Sequence, residues 1–172
     1  MESQSHSEIF DQIKNEVWDA MFIAAFNVIY WTHISRRYHF RAKSVKIFLA
    51  VMSSSTVATW GFWHEIDILW KCLSSASALI ALSLPILNWE RTIEKSSDLR
   101  GQWLQISNEY KNLWLDCSLN KSIKNIESNL KNIRSKELSV GKISTADLPV
   151  DRKLEKRCSD ETKRKLLLRK PE

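Results

Sequence analysis

Residues 47–89 read IFLAVMSSSTVATWGFWHEIDILWKCLSSASALIALSLPILNW, and the placement of charge within them decides the fold. Ile47 to Trp63 carries no formal charge, and neither does Cys72 to Trp89. The connector His64 to Lys71 holds Glu65, Asp67 and Lys71; it is too short for a domain and suits a tight turn between antiparallel helices. At about 1.5 Å per residue, each run with its flanks can cross a hydrocarbon layer of about 30 Å. Lys46 stands beside the first run, where its ammonium can snorkel to an interface. Trp60, Trp63, Trp70 and Trp89 edge the two runs, and an amphipathic indole is stable at a headgroup boundary. The expectation is an all-α chain with a transmembrane helical hairpin over residues 45–89. The competing reading is a buried helical hairpin inside a globular bundle.

Composition narrows the alternatives. Three Gly and three Pro disfavour turn-rich β architectures and suit long helices. The net charge of +6 implies attraction to anionic lipid, nucleotide or nucleic acid without choosing among them. Cys72, Cys117 and Cys158 are far apart, and His6, His33, His39 and His64 lack metal-ligand spacing, so neither a disulfide framework nor a metal site is expected. No phosphate-cradling glycine loop, nucleophile elbow or paired-carboxylate motif occurs, and an enzyme is not expected; no catalytic residue or cofactor is assigned. The acidic and polar start, Glu2 to Glu8, is unlike a cleaved signal peptide.

Four segments follow. Residues 1–44 form an amphipathic helix with Ile9, Ile13, Val17, Met21, Ala24, Ala25 and Val28 on one side, placed in the cytoplasm and leading into the first span. A third crossing over the uncharged run Ala20–Ser35 is its alternative. Residues 45–89 are the hairpin. Residues 90–135 carry a coiled-coil-like seam, Trp103, Ile106, Tyr110, Leu113 and Cys117, then Ile123, Ile126, Leu130 and Ile133, with a bend near Asn120. Residues 136–172, with Gly141 and Pro149 as breakers, read as a basic, flexible, solvated tail; Leu166 to Leu168 offers a short docking helix as the alternative.

Orientation follows the cations. Arg36, Arg37, Arg41 and Lys43 precede the first span and Arg91, Lys95 and Arg100 follow the second, so both termini are expected in the cytoplasm and the acidic turn outside. Ser53, Ser54, Ser55, Thr56 and Thr59 in the first span, with Ser74 and Ser77 in the second, serve either as packing glue between helices or as the lining of an aqueous path in a homo-oligomer. Glu65 and Asp67 would stand at the pore mouth, and Pro85 would kink the second span as a hinge or a plain bend. Arg36, Arg37 and Arg41, with Arg152, Lys153, Arg157, Lys163, Arg164 and Lys165, are candidate contacts for lipid or ligand phosphates.

The stretch AAFNVIYWTHISRRYHFRAKSVKIFLAVMSSSTVATW, then the second run and LNWERTIEKSSDLRGQWLQISNEYKNLW, resembles the SLATT-type two-transmembrane effectors of bacterial antiphage defence. The likeness runs from about Ala24 to Cys117 and rests on the order of its parts: a helix with small residues, a basic junction, two short-linked spans and a long cytoplasmic helix. The basic tail is outside the family pattern. The resemblance implies a pore-forming or ion-channel effector in the bacterial inner membrane. It also implies gating through cytoplasmic helices by a cyclic nucleotide or oligonucleotide from an adjacent sensor enzyme, or by a partner protein. A non-conducting membrane anchor or scaffold that recruits a cytoplasmic partner is the second reading.

Overall fold

The computed structural model describes residues 2–53, 67–119, 122–144 and 151–167. Those residues form α-helices and no strand: α1 (Glu2–Met52), α2 (Asp67–Leu87), α3 (Trp89–Ser118), α4 (Ile123–Ser144) and α5 (Arg152–Leu167). The expected all-α class is therefore observed. The chain divides into two compact units, residues 1–33 with 96–172 and residues 34–95, with both boundaries inside helices.

The first unit is built on period. In α3, Leu99, Trp103, Ile106, Tyr110, Leu113 and Cys117 are all buried, alternating steps of four and three. Trp103 to Cys117 are the seam positions expected from the sequence, and Leu99 extends them by one turn, because such spacing keeps one stripe of a helix facing its neighbours. In α4, Ile126, Leu130, Ile133 and Val140 continue the pattern, and in α1 Ile13, Val17, Met21 and Ala24 answer it. Trp18 of α1 meets Trp114 of α3 with ring centroids 5.1 Å apart, and the Lys14 ammonium sits 5.5 Å from the same Trp114 ring. Tyr110 Oη donates to Glu137 Oε2 at 2.8 Å and Lys136 Nζ to Glu109 Oε1 at 2.7 Å, tying α3 to α4. Trp103 with Gly141 in one groove and Asp116 with Asn129 in another show the two helices antiparallel. Arg134 of α4 pairs with Glu16 of α1.

The bend expected near Asn120 falls at residues 120–121, outside the described residues, between the end of one described helix and the start of the next. α3 ends at Ser118, and the Ser122 carbonyl accepts from Asn125 N at 3.0 Å and Ile126 N at 3.2 Å to open α4. The uncharged run Ala20–Ser35 belongs to α1, and its Ala20, Met21, Ala24, Tyr30 and Trp31 are buried in the protein, which accounts for its apolar character without a third crossing.

Beyond residue 135 the structure differs from the expected flexible tail. α4 runs through Gly141 to Ser144, because burial of Val140 extends the seam and outweighs the roughly 1 kcal/mol that glycine costs in a helix. Residues 152–167 are helical and docked. Leu154, Cys158 and Thr162 are all buried, a stripe at four-residue spacing hidden within a strongly basic composition. The Asp151 carboxylate caps this helix, accepting from Lys153 N at 3.1 Å and Leu154 N at 3.2 Å.

In the second unit, α2 continues past Pro85 to Leu87, and the break comes at Asn88, whose φ of 44° lies in the left-handed region. Asparagine tolerates that region better than other side chains with a Cβ, which suits a helix terminus at this position. Among the described residues no single helix is long and apolar enough to cross a membrane. By length and composition, Cys72–Leu84 and Trp89–Ser118 qualify together as one span bent by 52°.

Leu99 is 1% exposed at the seam. Leu99→Ala should lower the unfolding free energy by about 2–5 kcal/mol in denaturant titration, through lost burial and the cavity left behind.

Candidate functional site

Two surfaces carry the sequence-derived candidates, one in each unit. In the second unit, the described side chains of α2 from Cys72 to Leu84 are all exposed or half-buried; none reaches the interior. Leu79 is 67% and Leu82 72% exposed, while Phe40, Ile47 and Val51 on α1 are also exposed. Ser77 Oγ donates to the Ser74 carbonyl at 2.8 Å, and Ser83 Oγ to the Leu79 carbonyl at 2.8 Å. These two hydroxyls are thus satisfied by their own helix, as serine side chains do in an apolar setting. Ser53 sits in the turn after α1 and donates to the Ala50 carbonyl at 3.1 Å.

Ser54, Ser55, Thr56, Thr59 and Glu65 lie outside the described residues, as do the side chains of Asp67 and Pro85. The first expected span is described only over residues 47–53, which close α1. Arg36, Arg37 and Arg41 are exposed on α1, with the Arg41 guanidinium 5.8 Å from the Tyr38 ring. A groove of about 550 Å³ is lined by Lys43, Lys46, Ile47 and Ala50 of α1 and Glu90, Ile93 and Glu94 of α3. Lys46 Nζ donates to Glu90 Oε1 at 2.8 Å and holds that carboxyl below its ordinary range.

In the first unit the site is α5. Its docked edge rests on contacts the sequence did not announce. Asp151 N donates to Tyr30 Oη at 3.3 Å, and His33 Nε2 lies 3.1 Å from Glu161 Oε2. Glu161 Oε1 also accepts from Lys165 Nζ at 2.8 Å. The Lys165 bond and then the His33 bond hold the Glu161 carboxyl below the usual carboxylate range. Burial pushes the Cys158 thiol up, consistent with an inert packing role. An aspartate at 151, opening a run with Leu154, Cys158 and Thr162 at four-residue spacing, is the signal that could have marked this helix.

The candidate cations of α5 divide accordingly. Lys165 belongs to the docked edge through Glu161, whereas Arg152, Lys153, Arg157, Lys163 and Arg164 are exposed and form no ion pair among the described residues. Lys153, Lys156, Arg157, Asp160, Glu161 and Arg164 line a shallow groove of about 490 Å³. The arginines of α1 and the cations of α5 fall in separate units. Among the described residues no group of three or more His, Cys, Asp or Glu is placed to hold a metal ion.

Comparison with protein-family models, curated proteins and solved structures returned no match.

The docking of α5 carries a pH signature. Because the folded pKa of Glu161 is depressed, its contribution is present above the unfolded carboxylate value of about 4.3 and is lost as pH falls through the folded value. Amide exchange of residues 152–167, corrected for intrinsic rate, should accelerate through that window. Glu161→Gln should flatten part of the profile; an unchanged profile would remove the carboxylate from the docking contact.

Proposed function

We propose that this chain is a membrane-embedded effector of the SLATT type: a homo-oligomeric, ion-conducting pore in the bacterial inner membrane with both termini in the cytoplasm. Its cytoplasmic helices would receive the gating signal, a nucleotide or oligonucleotide from a neighbouring sensor enzyme or contact with a partner protein. No catalytic step is assigned to it.

One inversion of burial supports this reading. The first unit buries its apolar stripes, whereas the most apolar helix of the chain, α2, buries none of its described side chains from Cys72 to Leu84. Full burial of a leucine side chain is worth about 1.5–3 kcal/mol. Leaving Leu79 and Leu82 in water forfeits most of that, while an acyl layer or a neighbouring copy recovers it. A helix apolar all round belongs in a large core or a membrane. Self-bonded Ser77 and Ser83 suit the same setting, where every polar group needs an internal partner. The second half of the hairpin reading rests on the uncharged sequence from Ile47 to Trp63. One hairpin cannot enclose a pore, so conduction requires several copies.

The test is reconstitution of the full chain into liposomes loaded with an ion-sensitive dye. Wild type should float with the vesicles through a carbonate wash and pass ions above background. Leu79→Asp with Leu82→Asp should lose flotation, since each charge at the centre of a span costs about 2.5–3.5 kcal/mol. Replacing Ser53, Ser54, Ser55 and Thr56 with Leu should abolish flux while keeping flotation; equal flux would remove those residues from the pore. Flotation without any flux would leave the anchor reading in place of the pore. A compact monomer in detergent-free buffer would overturn both.

A further inference from the structure

We infer that the outer face of α5 is a preformed contact surface for the phosphates of an anionic bilayer. Among the described residues, ion pairs engage Lys46 with Glu90, Lys136 with Glu109, Arg134 with Glu16 and, on the docked edge of α5 itself, Lys165 with Glu161. Exposed cations without an ion pair among the described residues occur on other helices too, Arg36, Arg100 and Lys131 among them. α5 concentrates such cations: Arg152, Lys153, Lys156, Arg157, Lys163 and Arg164 are exposed on one helix of 16 residues and make no ion pair among the described residues. Asp160 shares their face and is paired with none of them. Like charges one turn apart, such as Lys153 and Arg157, repel each other on a helix. The repulsion is tolerated because the opposite edge is fastened through Leu154, Cys158 and Thr162, the Tyr30–Asp151 hydrogen bond and the His33–Glu161 contact. The cations are thus held along one stripe, with about 16 Å of helix between Lys153 and Arg164.

The chemistry of that stripe selects its partner. α5 contains no aromatic side chain on which the bases of a single strand could stack. Its apolar edge is committed to the protein interior, so the helix cannot insert among acyl chains as an amphipathic anchor does. What remains is an array of cations along one exposed stripe. An anionic headgroup surface offers the matching array of phosphates, and the apolar α2, on the membrane reading on which this inference rests, supplies that surface. Each cation near an anionic leaflet contributes about fivefold in binding.

Lysine acylation footprinting of the full chain tests it. The chain is mixed with or reconstituted into bilayers of phosphatidylcholine alone, or of phosphatidylcholine and phosphatidylglycerol in equal parts. Labelling of Lys153, Lys156 and Lys163 should slow about tenfold in the anionic bilayer, with Lys131 of α4 as the unaffected reference, and high salt should restore it. K153Q/K156Q/R157Q/R164Q changes only the outer face and should remove the protection at Lys163; if it misfolds, the composition and salt arms of wild type still decide. Protein that floats with both bilayers but labels equally in each overturns the α5 inference and leaves the hairpin. Protein that floats only with the anionic bilayer and is released by salt supports α5 and overturns the hairpin, and protein that floats with neither overturns both. Stronger protection by oligothymidylate than by the anionic bilayer would make a nucleic acid the partner and overturn the assignment.

Discussion

The seam of α3 is the constraint around which the first unit is arranged. Leu99, Trp103, Ile106, Tyr110, Leu113 and Cys117 form one continuous apolar stripe, and a single helix cannot hide such a stripe from water. α1 and α4 supply matching stripes. Tyr110, with no exposed surface, sits in this seam and sends its hydroxyl to Glu137. Burial, then the hydrogen bond to Glu137 and its charge, drive the phenol's pKa far above its ordinary value, so it remains a donor throughout the physiological range.

The same hydrophobic demand is met differently in α2. There the described side chains have no interior to enter, and the exposed leucines lie beside serines already bonded to their own backbone. The contrast between the units is therefore one of burial: among the described residues, one covers its apolar stripes within the chain and α2 does not. The functional proposal grows from that contrast.

Charge follows a parallel division. Ion pairs between helices stitch α1 to α4 and α3 to α4, and Glu161 joins α5 to His33. These partly exposed pairs contribute modestly to stability and more to register, since solvent screens their attraction. The outer face of α5 lacks such pairs, and the docked edge beneath it keeps those charges in one line.

What the sequence determined by itself was local and periodic. The helical class, the α3 and α4 seam positions, the interruption near Asn120 and the two uncharged runs follow from spacing along a few turns of chain. Tertiary structure alone decided what those stripes meet. It buried Ala20, Met21, Ala24, Tyr30 and Trp31 within the run offered as an alternative crossing, and it carried α4 through Gly141. It also converted the basic tail into a docked helix, through partners more than a hundred residues away: Tyr30 for Asp151 and His33 for Glu161. Such contacts leave no trace in composition, because their free energy comes from desolvating groups that meet only after the chain has folded.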